Sequence, residues 1–543
     1  MELSNAVSTK NGRSKSRKIL IEVALCTICA LIFIDTVIVS TALPSIARKL
    51  QASGAQYAWV ASSYLLALAS LLPLWAKLSD IFGRKLVMLV GNALFLLGSL
   101  VSALSERISM LIAGRGIQGA GAGALVVLSN ICIADMFSLR ERGLYLGILG
   151  ATTSVSTAVG PVLGGVFTET IGWQWCFWIN LPIGGLALVM LVAFLDVHNP
   201  KTGLTQGLRA IDWAGAVTIT GATLMFVLGL QFGGVSYPWS SAVVICLIIF
   251  GILGFLLFML LQWKISPEPV IPHQVFSQRT NIVVLIVCFC HGIVFHGSLY
   301  YLSVYFQLAL GASPIHAGVW LLVGAITLTC ISIVTGIITK TTGRYREIIS
   351  ISCLFLTLGL GLWIDFPFYR SWPRIILFQI IPALGAGPLY QAPFIAIQAR
   401  AAPANVAAAT SACTFVRMIG ASIGLIIGQV LLSNHIRDGS PELEEAGVPS
   451  ELILKLRENF TVMARSMVNE LTVPQQLLIR QLFSSALRNV WIAYTAASAL
   501  ALGSSFFVEH RELSRDHVET RTGLPHTKPT ENGDASIKPP SVD

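Results

Sequence analysis

The sequence predicts an all-α polytopic membrane protein. Three observations carry that reading. Of 543 residues, 54% are hydrophobic and only 12% charged, about half the ~25% charge of a soluble domain. Apolar runs of near-constant length recur from one end of the chain to the other. Lys and Arg collect in alternate connecting loops, which is the signature of membrane orientation. This composition excludes a soluble enzyme, a disordered chain and a single-span receptor.

The apolar runs fall at 20–42, 57–76, 86–104, 109–133, 143–167, 177–196, 212–232, 241–263, 282–308, 315–338, 348–364, 375–398, 404–432 and 489–508. About 20 residues of helix cross a bilayer core. Backbone polar groups cannot face lipid unpaired, so each run must be a helix. The first follows a polar, basic tail, residues 1–19. It is too long for a signal peptide, and it continues into Asp35 and Pro44 with no small-residue cleavage site. It therefore reads as span 1.

With the N-terminus inside, the inner loops hold thirteen Lys and Arg. The short outer loops hold five: Arg48, Lys49, Arg107, Arg370 and Arg374. Both termini are then cytoplasmic. The net charge of +9 belongs to this loop pattern and implies no nucleic acid. The long outer loop 433–488 contains Asn459-Phe-Thr, the only N-x-S/T glycosylation sequon. An amphipathic stretch after Ser450 (Leu452, Ile453, Leu456, Phe460, Met463) is expected to lie on the membrane surface or to cap the bundle. The tail 511–543 is polar and reads as disordered. None of the ten cysteines lies in a long polar loop, so no disulfide framework is implied.

Ionisable residues deep inside runs are few: Asp35 in run 1, Arg115 in run 4, His291 and His296 in run 9, Arg417 in run 13. An Asp or Arg costs about 2.5–3.5 kcal/mol or more at the centre of a bilayer, and ionisable residues there are functional candidates. Asp35 and Arg115 both lie roughly 10 Å below the outer face at about 1.5 Å per residue and are expected to meet across a central cavity. A carboxylate moved between an arginine and an apolar setting changes its proton affinity, and can load and unload a proton. A static pair that fixes helix packing is the other reading. The histidines read more simply as hydrogen-bonded packing residues. Arg417 has no acidic partner at its depth; a substrate anion, carbonyl groups and water all remain open.

Glycines crowd run 4 (Gly116, Gly119, Gly121, Gly123) and run 5 (Gly147, Gly150, Gly160, Gly164, Gly165, with Pro161). Small residues let helices approach, and Gly-Pro bends them. Gly420-Ala-Ser-Ile-Gly424 matches a hydrolase string but lies mid-span, not at a strand-to-helix turn. No phosphate-binding loop and no zinc-spaced ligands occur, so neither a cofactor nor a metal is expected. An internal echo is present. Ala76-Lys-Leu-Ser-Asp80-Ile-Phe-Gly83-Arg84-Lys85 joins runs 2 and 3, and Gly336-Ile-Ile-Thr-Lys340-Thr-Thr-Gly343-Arg344 joins runs 10 and 11. Duplicated halves are common in transporters.

Together these strings resemble the major facilitator superfamily, and within it the fourteen-span drug:proton antiporters of fungal type, over residues 20–508. The loop holding Asp80, Gly83, Arg84 and Lys85 resembles the gating motif, with Ala76 where glycine is usual. Asp35-Thr-Val-Ile-Val-Ser-Thr-Ala-Leu-Pro44 and Arg115-Gly-Ile-Gln118-Gly119 resemble the motifs of helices 1 and 4, whose arginine is linked to proton transfer. Gly147 with Gly160-Pro161-Val-Leu-Gly164-Gly165 resembles the antiporter motif, with Ser156 in place of a glycine. Trp173-Gln-Trp175-Cys-Phe-Trp178-Ile-Asn180-Leu-Pro182-Ile-Gly184 resembles the loop that enters helix 6, with Gln174 where arginine is usual.

The resemblance implies two six-helix bundles, residues 20–197 and 282–510, and a linker, 198–281, that carries two inserted helices. It implies alternating access around a central site, for which Tyr64, Gln118, His296, Tyr300, Gln391 and Phe394 are the cavity candidates. The expected function is proton-coupled export of small amphipathic molecules such as drugs, toxins or secondary metabolites. The substrate should be neutral or weakly acidic, because few acids lie in the spans. Partners would be that substrate, protons and membrane lipid, with the chain a monomer in the plasma membrane. A same-fold transporter of siderophores, or of basic amino acids at the vacuolar membrane, is the alternative. A membrane enzyme would need a His, Asp or Glu cluster at one face, and none is found. A transporter-like receptor would need a longer tail.

Overall fold

A computed structural model describes residues 15–515 except 52–53, 196, 198–199, 201, 235–236, 267–268 and 460–470, together with residue 523. Fourteen long helices follow in order: α1 (Lys15–Lys49), α2 (Gly54–Phe82), α3 (Arg84–Ala103), α4 (Ile108–Met136), α5 (Leu139–Thr170), α6 (Asn180–Phe194), α7 (Trp213–Phe232), α8 (Ala242–Lys264), α9 (Arg279–Val304), α10 (Pro314–Thr342), α11 (Tyr345–Trp363), α12 (Trp372–Arg400), α13 (Val406–Asp438) and α14 (Val473–Ser505). A short helical turn, Trp175–Trp178, precedes α6, and α9 continues as a π-helical turn, Tyr305–Ala309.

Local chemistry sets the ends of several helices. Asp212 caps α7 by accepting from the Gly215 amide, and Ser313 caps α10 with Pro314 in the first turn. Thr472 and Gln475 form a reciprocal capping box at the start of α14. Gly83 (φ 92°) turns the chain into α3, and Gly343 (φ 76°) ends α10. Both glycines of the sequence echo thus take a positive φ, which a Cβ disfavours, but Gly343 (ψ 4°) is a left-handed helical cap whereas Gly83 (ψ 150°) is extended.

The packing repeats. In the first half α1 lies on α5 and α6, α2 and α3 on α4, and α3 on α6. In the last six helices α9 lies on α13 and α14, α10 and α11 on α12, and α11 on α14. The halves meet through α5 against α10 and α2 against α13, two contacts exchanged by the same pseudo-symmetry. The α7–α8 hairpin rests on α2 and α13. Its two helices are tied by Gln262 Nε2, which donates to Asp212 Oδ2 (2.6 Å).

Among the described residues thirteen helices are long and apolar enough to cross a membrane. The fourteenth expected span corresponds to α14, which is not one of them: Ala, Ser, Thr and Gly dilute its apolar half. Helix α14 also begins sixteen residues before the apolar run (Val473 rather than 489). Its first four turns carry Gln475, Gln476, Arg480 and Arg488, so hydropathy hides a continuous helix. With α13 reaching Asp438, the outer loop contracts to 439–472. Within it Leu452, Ile453 and Leu456 are buried against the bundle, whereas Phe460 and Met463 lie outside the described residues. At the other end Glu509 pairs with Arg400 and Leu513 is buried. The rest of the tail, and the N-terminal 1–14, are outside the described residues, apart from Gly523.

Candidate functional site

The deepest polar cluster is built on Asp35. Helix α1 places it at mid-bundle, α4 contributes Arg115 and Gln118 from successive turns of one face, α3 gives Ser99, and α6 opens with Asn180. Arg115 Nη1 lies 2.5 Å from Asp35 Oδ2 and 2.7 Å from Gln118 Oε1. Gln118 Nε2 donates to Asp35 Oδ1 (2.7 Å), and so does Asn180 Nδ2 (2.8 Å). Both amides also reach Ser99 Oγ. The guanidinium is stacked on the Tyr64 ring (4.1 Å), and its Nε donates to Val60 O. Asp35 and Arg115 are 0% and 1% exposed. They are in direct contact rather than facing each other across a cavity, and α4 is seated closely on α2 beside them: a Cβ on Gly119 would fall 2.2 Å from Tyr64 O. A buried pair survives desolvation only when further hydrogen bonds satisfy both ions, as here. The sequence assigned no role to Ser99 or Asn180. Their signal was a polar side chain within an apolar stretch.

The loop between α2 and α3 forms a second cluster. Arg84, 1% exposed, pairs with Asp80 (2.5 Å) and with Asp135 of α4 (2.8 Å), and it donates to Ser79 Oγ. Lys85 Nζ donates to Val192 O of α6. Asp135 carries no sequence signal of its own, because it follows the end of run 4. The second copy of the loop keeps a positive-φ glycine and loses the latch: Lys340 stands where Asp80 stands, and Arg344 is exposed.

The two halves are joined at the ends of α5, α10 and α12 nearest these loops, hereafter the basic face. Arg142 Nη1 donates to Gln398 Oε1 (3.2 Å) and Arg140 Nη2 to Thr342 O (3.4 Å). A Cβ on Gly147 would lie 2.7 Å from Ser332 O and from Gln391 Oε1. Gly160 and Gly164 instead face α1, with Val37 Cγ2 and Ile38 O each 2.3 Å from a built Cβ. Gly165 meets nothing within 4 Å, and Pro161 lies half-buried within α5.

Comparison with known proteins identifies this architecture. The model of the Major Facilitator Superfamily matches residues 25–212 and 208–425. The chain belongs to the Major Facilitator Superfamily. It is 41% identical to the efflux pump dotC of Dothistroma septosporum over 96% of this chain and 89% of that protein. It is 42% identical to the MFS-type transporter ppz2 of Metarhizium majus, over 95% and 89%. The crystal structure of the human organic anion transporter MFSD10 superposes with TM-score 0.57 at 14% identity, covering 91% of this chain and all of that one, and this likeness shows the fold alone. The protein is therefore a multi-pass membrane transporter.

The transporter does not gather the six cavity candidates in one place. Tyr64 and Gln118 belong to the Asp35 cluster. Gln391 is buried at the α5–α10 seam and donates to Ser332 O. Phe394 is buried beneath Arg417, 4.8 Å from its guanidinium. His296 is half-buried, and Tyr300 is 42% exposed. His291 is buried, with Nε2 3.1 Å from Ala386 O. Asn459 ends a short helix, Ser450–Asn459; the rest of its sequon lies outside the described residues. All ten cysteines are free.

Proposed function

We propose that this transporter is a proton-coupled antiporter that exports small amphipathic molecules by alternating access. The observation that carries the reading is the Asp35 cluster: one carboxylate, sealed from water, whose charge is held by one arginine and two amides. Protonation of Asp35 from the outer side removes the charge that Arg115 holds. The pair loosens, and the helices that carry it, α1 and α4, are released to move as bodies with the rest of residues 20–197 against 282–510, while 198–281 carries the inserted hairpin. Release of the proton inside restores the pair and resets the cycle.

Further features fit the reading. Arg84 holds α2, α3 and α4 together at the basic face, as a gate that opens and closes requires. Gly147, Gly160 and Gly164 place α5 in backbone contact with α10 on one side and α1 on the other, so α5 links the seam to the helix bearing Asp35. The export direction rests on the antiporter-motif glycines and on the efflux pumps to which the chain is similar. The charge count supports a cytoplasmic basic face and cytoplasmic termini, with Asn459 outside as a glycan site; the plasma membrane is the proposed location, with the vacuolar membrane the alternative.

The test uses purified protein in liposomes that hold a pH-sensitive dye, with a panel of hydrophobic toxicants and an imposed pH gradient. Substrate-dependent proton flux is expected in the wild type and absent in a folded Asp35→Asn variant. Equal flux in that variant would reject the assignment.

A further inference from the structure

Among the described residues four arginines are buried, and they differ in what faces them; Arg142, 7% exposed, donates to Phe137 O and to Gln398 Oε1. Arg84 has two carboxylates and Arg115 has one. Arg417, in α13, is 2% exposed, and among the described residues no carboxylate pairs with it. Its Nη2 donates to Leu389 O (3.2 Å) and has only a weak acceptor, Cys288 Sγ, at 3.9 Å. Its Nε has no hydrogen-bond partner in the structure. Burying a charge without a counter-ion is strongly unfavourable unless something else supplies the compensation.

Part of that compensation is aromatic. The guanidinium carbon lies 4.9 Å from the Tyr390 ring centroid and 4.8 Å from that of Phe394. The two residues are one turn apart on α12, and their faces attract a cation. Tyr390 extends this platform to the boundary between the halves: a Cβ on Gly150 of α5 would lie 3.2 Å from its Cδ1. His291 of α9 also faces this region. Its Nε2 donates to Ala386 O, which leaves Nδ1 as an acceptor with no partner.

We propose that Arg417 is the anion-recognition residue of the substrate site, and that the transported substrate is an amphipathic aromatic monoanion. The guanidinium presents Nε–H as a free donor to a carboxylate or an acidic phenolate, and charge-assisted bonds of this kind are the strong ones. Tyr390 and Phe394 receive the flat body of the ligand. The inference rests on the export reading above for its direction, but not for its chemistry.

The experiment is equilibrium binding of radiolabelled 2-naphthoate to the full-length protein in nanodiscs, compared with 2-naphthamide and 2-naphthylmethylammonium. Wild type is expected to bind the carboxylate about tenfold or more tighter than the amide, and the ammonium more weakly still. Arg417→Gln is expected to bring the carboxylate-to-amide ratio to about one, and Arg417→Lys to keep part of it. No carboxylate preference in wild type, or an unchanged preference in a folded Arg417→Gln variant, overturns the proposal. Where Arg417→Gln does not fold, Tyr390→Leu decides. It should weaken 2-naphthoate while sparing octanoate, and equal loss of both overturns the proposal. Asp35→Asn separates the two readings. Loss of proton flux in that variant with no carboxylate preference in wild type leaves the antiport reading standing and this one rejected. Persistent flux with a clear preference does the reverse.

Discussion

The seam at the basic face packs backbone against backbone at Gly336, and one methyl group should wedge it. Gly336 of α10 packs on α5 so closely that an added Cβ would lie 2.7 Å from Gly143 O and 2.9 Å from Leu144 Cα, where ordinary contacts begin near 3.4 Å. Both obstacles are main-chain atoms of a helix, which cannot rotate away as a side chain can. Gly336→Ala must therefore separate α10 from α5 or strain the helices. Overpacking of this kind costs about 1–3 kcal/mol. The strain is relieved when the face opens, so the cost falls on the closed state, whose population relative to the open one drops about 5- to 150-fold. Hydrogen–deuterium exchange read by mass spectrometry reports this directly: amides of residues 139–150 and 332–342 should exchange faster in Gly336→Ala than in wild type. Gly116→Ala is the control, because nothing lies within 4 Å of its Cβ, and it should leave exchange unchanged. Wild-type protection in Gly336→Ala would refute the reasoning, since it would mean that the seam yields without opening.

Other substitutions probe the remaining clusters. Asp135→Asn leaves the buried Arg84 with Asp80 alone; breaking a buried pair costs about 3–5 kcal/mol, so the detergent-solubilised protein should melt earlier, whereas Arg344→Ala, at the exposed echo position, should melt as wild type. Asn180→Ala removes one of the two amides on Asp35 while keeping Arg115 in place. It should leave the protein folded and change substrate-dependent proton flux, and flux identical to wild type would restrict the cluster to Arg115 and Gln118. Asp212→Ala removes a helix cap, worth about 0.5–2 kcal/mol, together with the tie to Gln262. Faster exchange at the start of α7 is expected, with transport retained, because the hairpin carries none of the proposed proton or substrate groups.

The helices were legible because lipid allows the chain so few alternatives. Length and apolarity fix a span, and the runs match thirteen of the observed helices. The start of α14 was not legible, since Gln475, Arg480 and Arg488 read as loop while their backbone continues a helix capped at Thr472. Within the candidate site, Asp35 and Arg115 stood out by the cost of placing charge in a membrane. Ser99 and Asn180 carry no charge, and Asp135 sits where a span reads as ending. Their roles depend on which helix faces meet, and no periodicity in a single sequence supplies that. The cavity candidates were chosen by residue type, and residue type does not say whether a side chain faces a neighbouring helix, as Gln391 does, or another residue of its own site, as Gln118 does.

Two buried arginines, one facing an acid of the fold and one facing none, have a consequence for membrane voltage. A cycle that admits one proton through Asp35 and expels one monoanion held at Arg417 carries two charges in the same electrical direction. Each elementary charge crossing 100 mV is worth about 2.3 kcal/mol. An inside-negative potential of that size would add about 4.6 kcal/mol to each turnover, or more than three decades of concentration ratio, without any pH difference. Liposomes clamped with potassium and valinomycin should then export faster as the inside becomes negative, and a cell that lost its proton gradient but kept its voltage would still clear the compound.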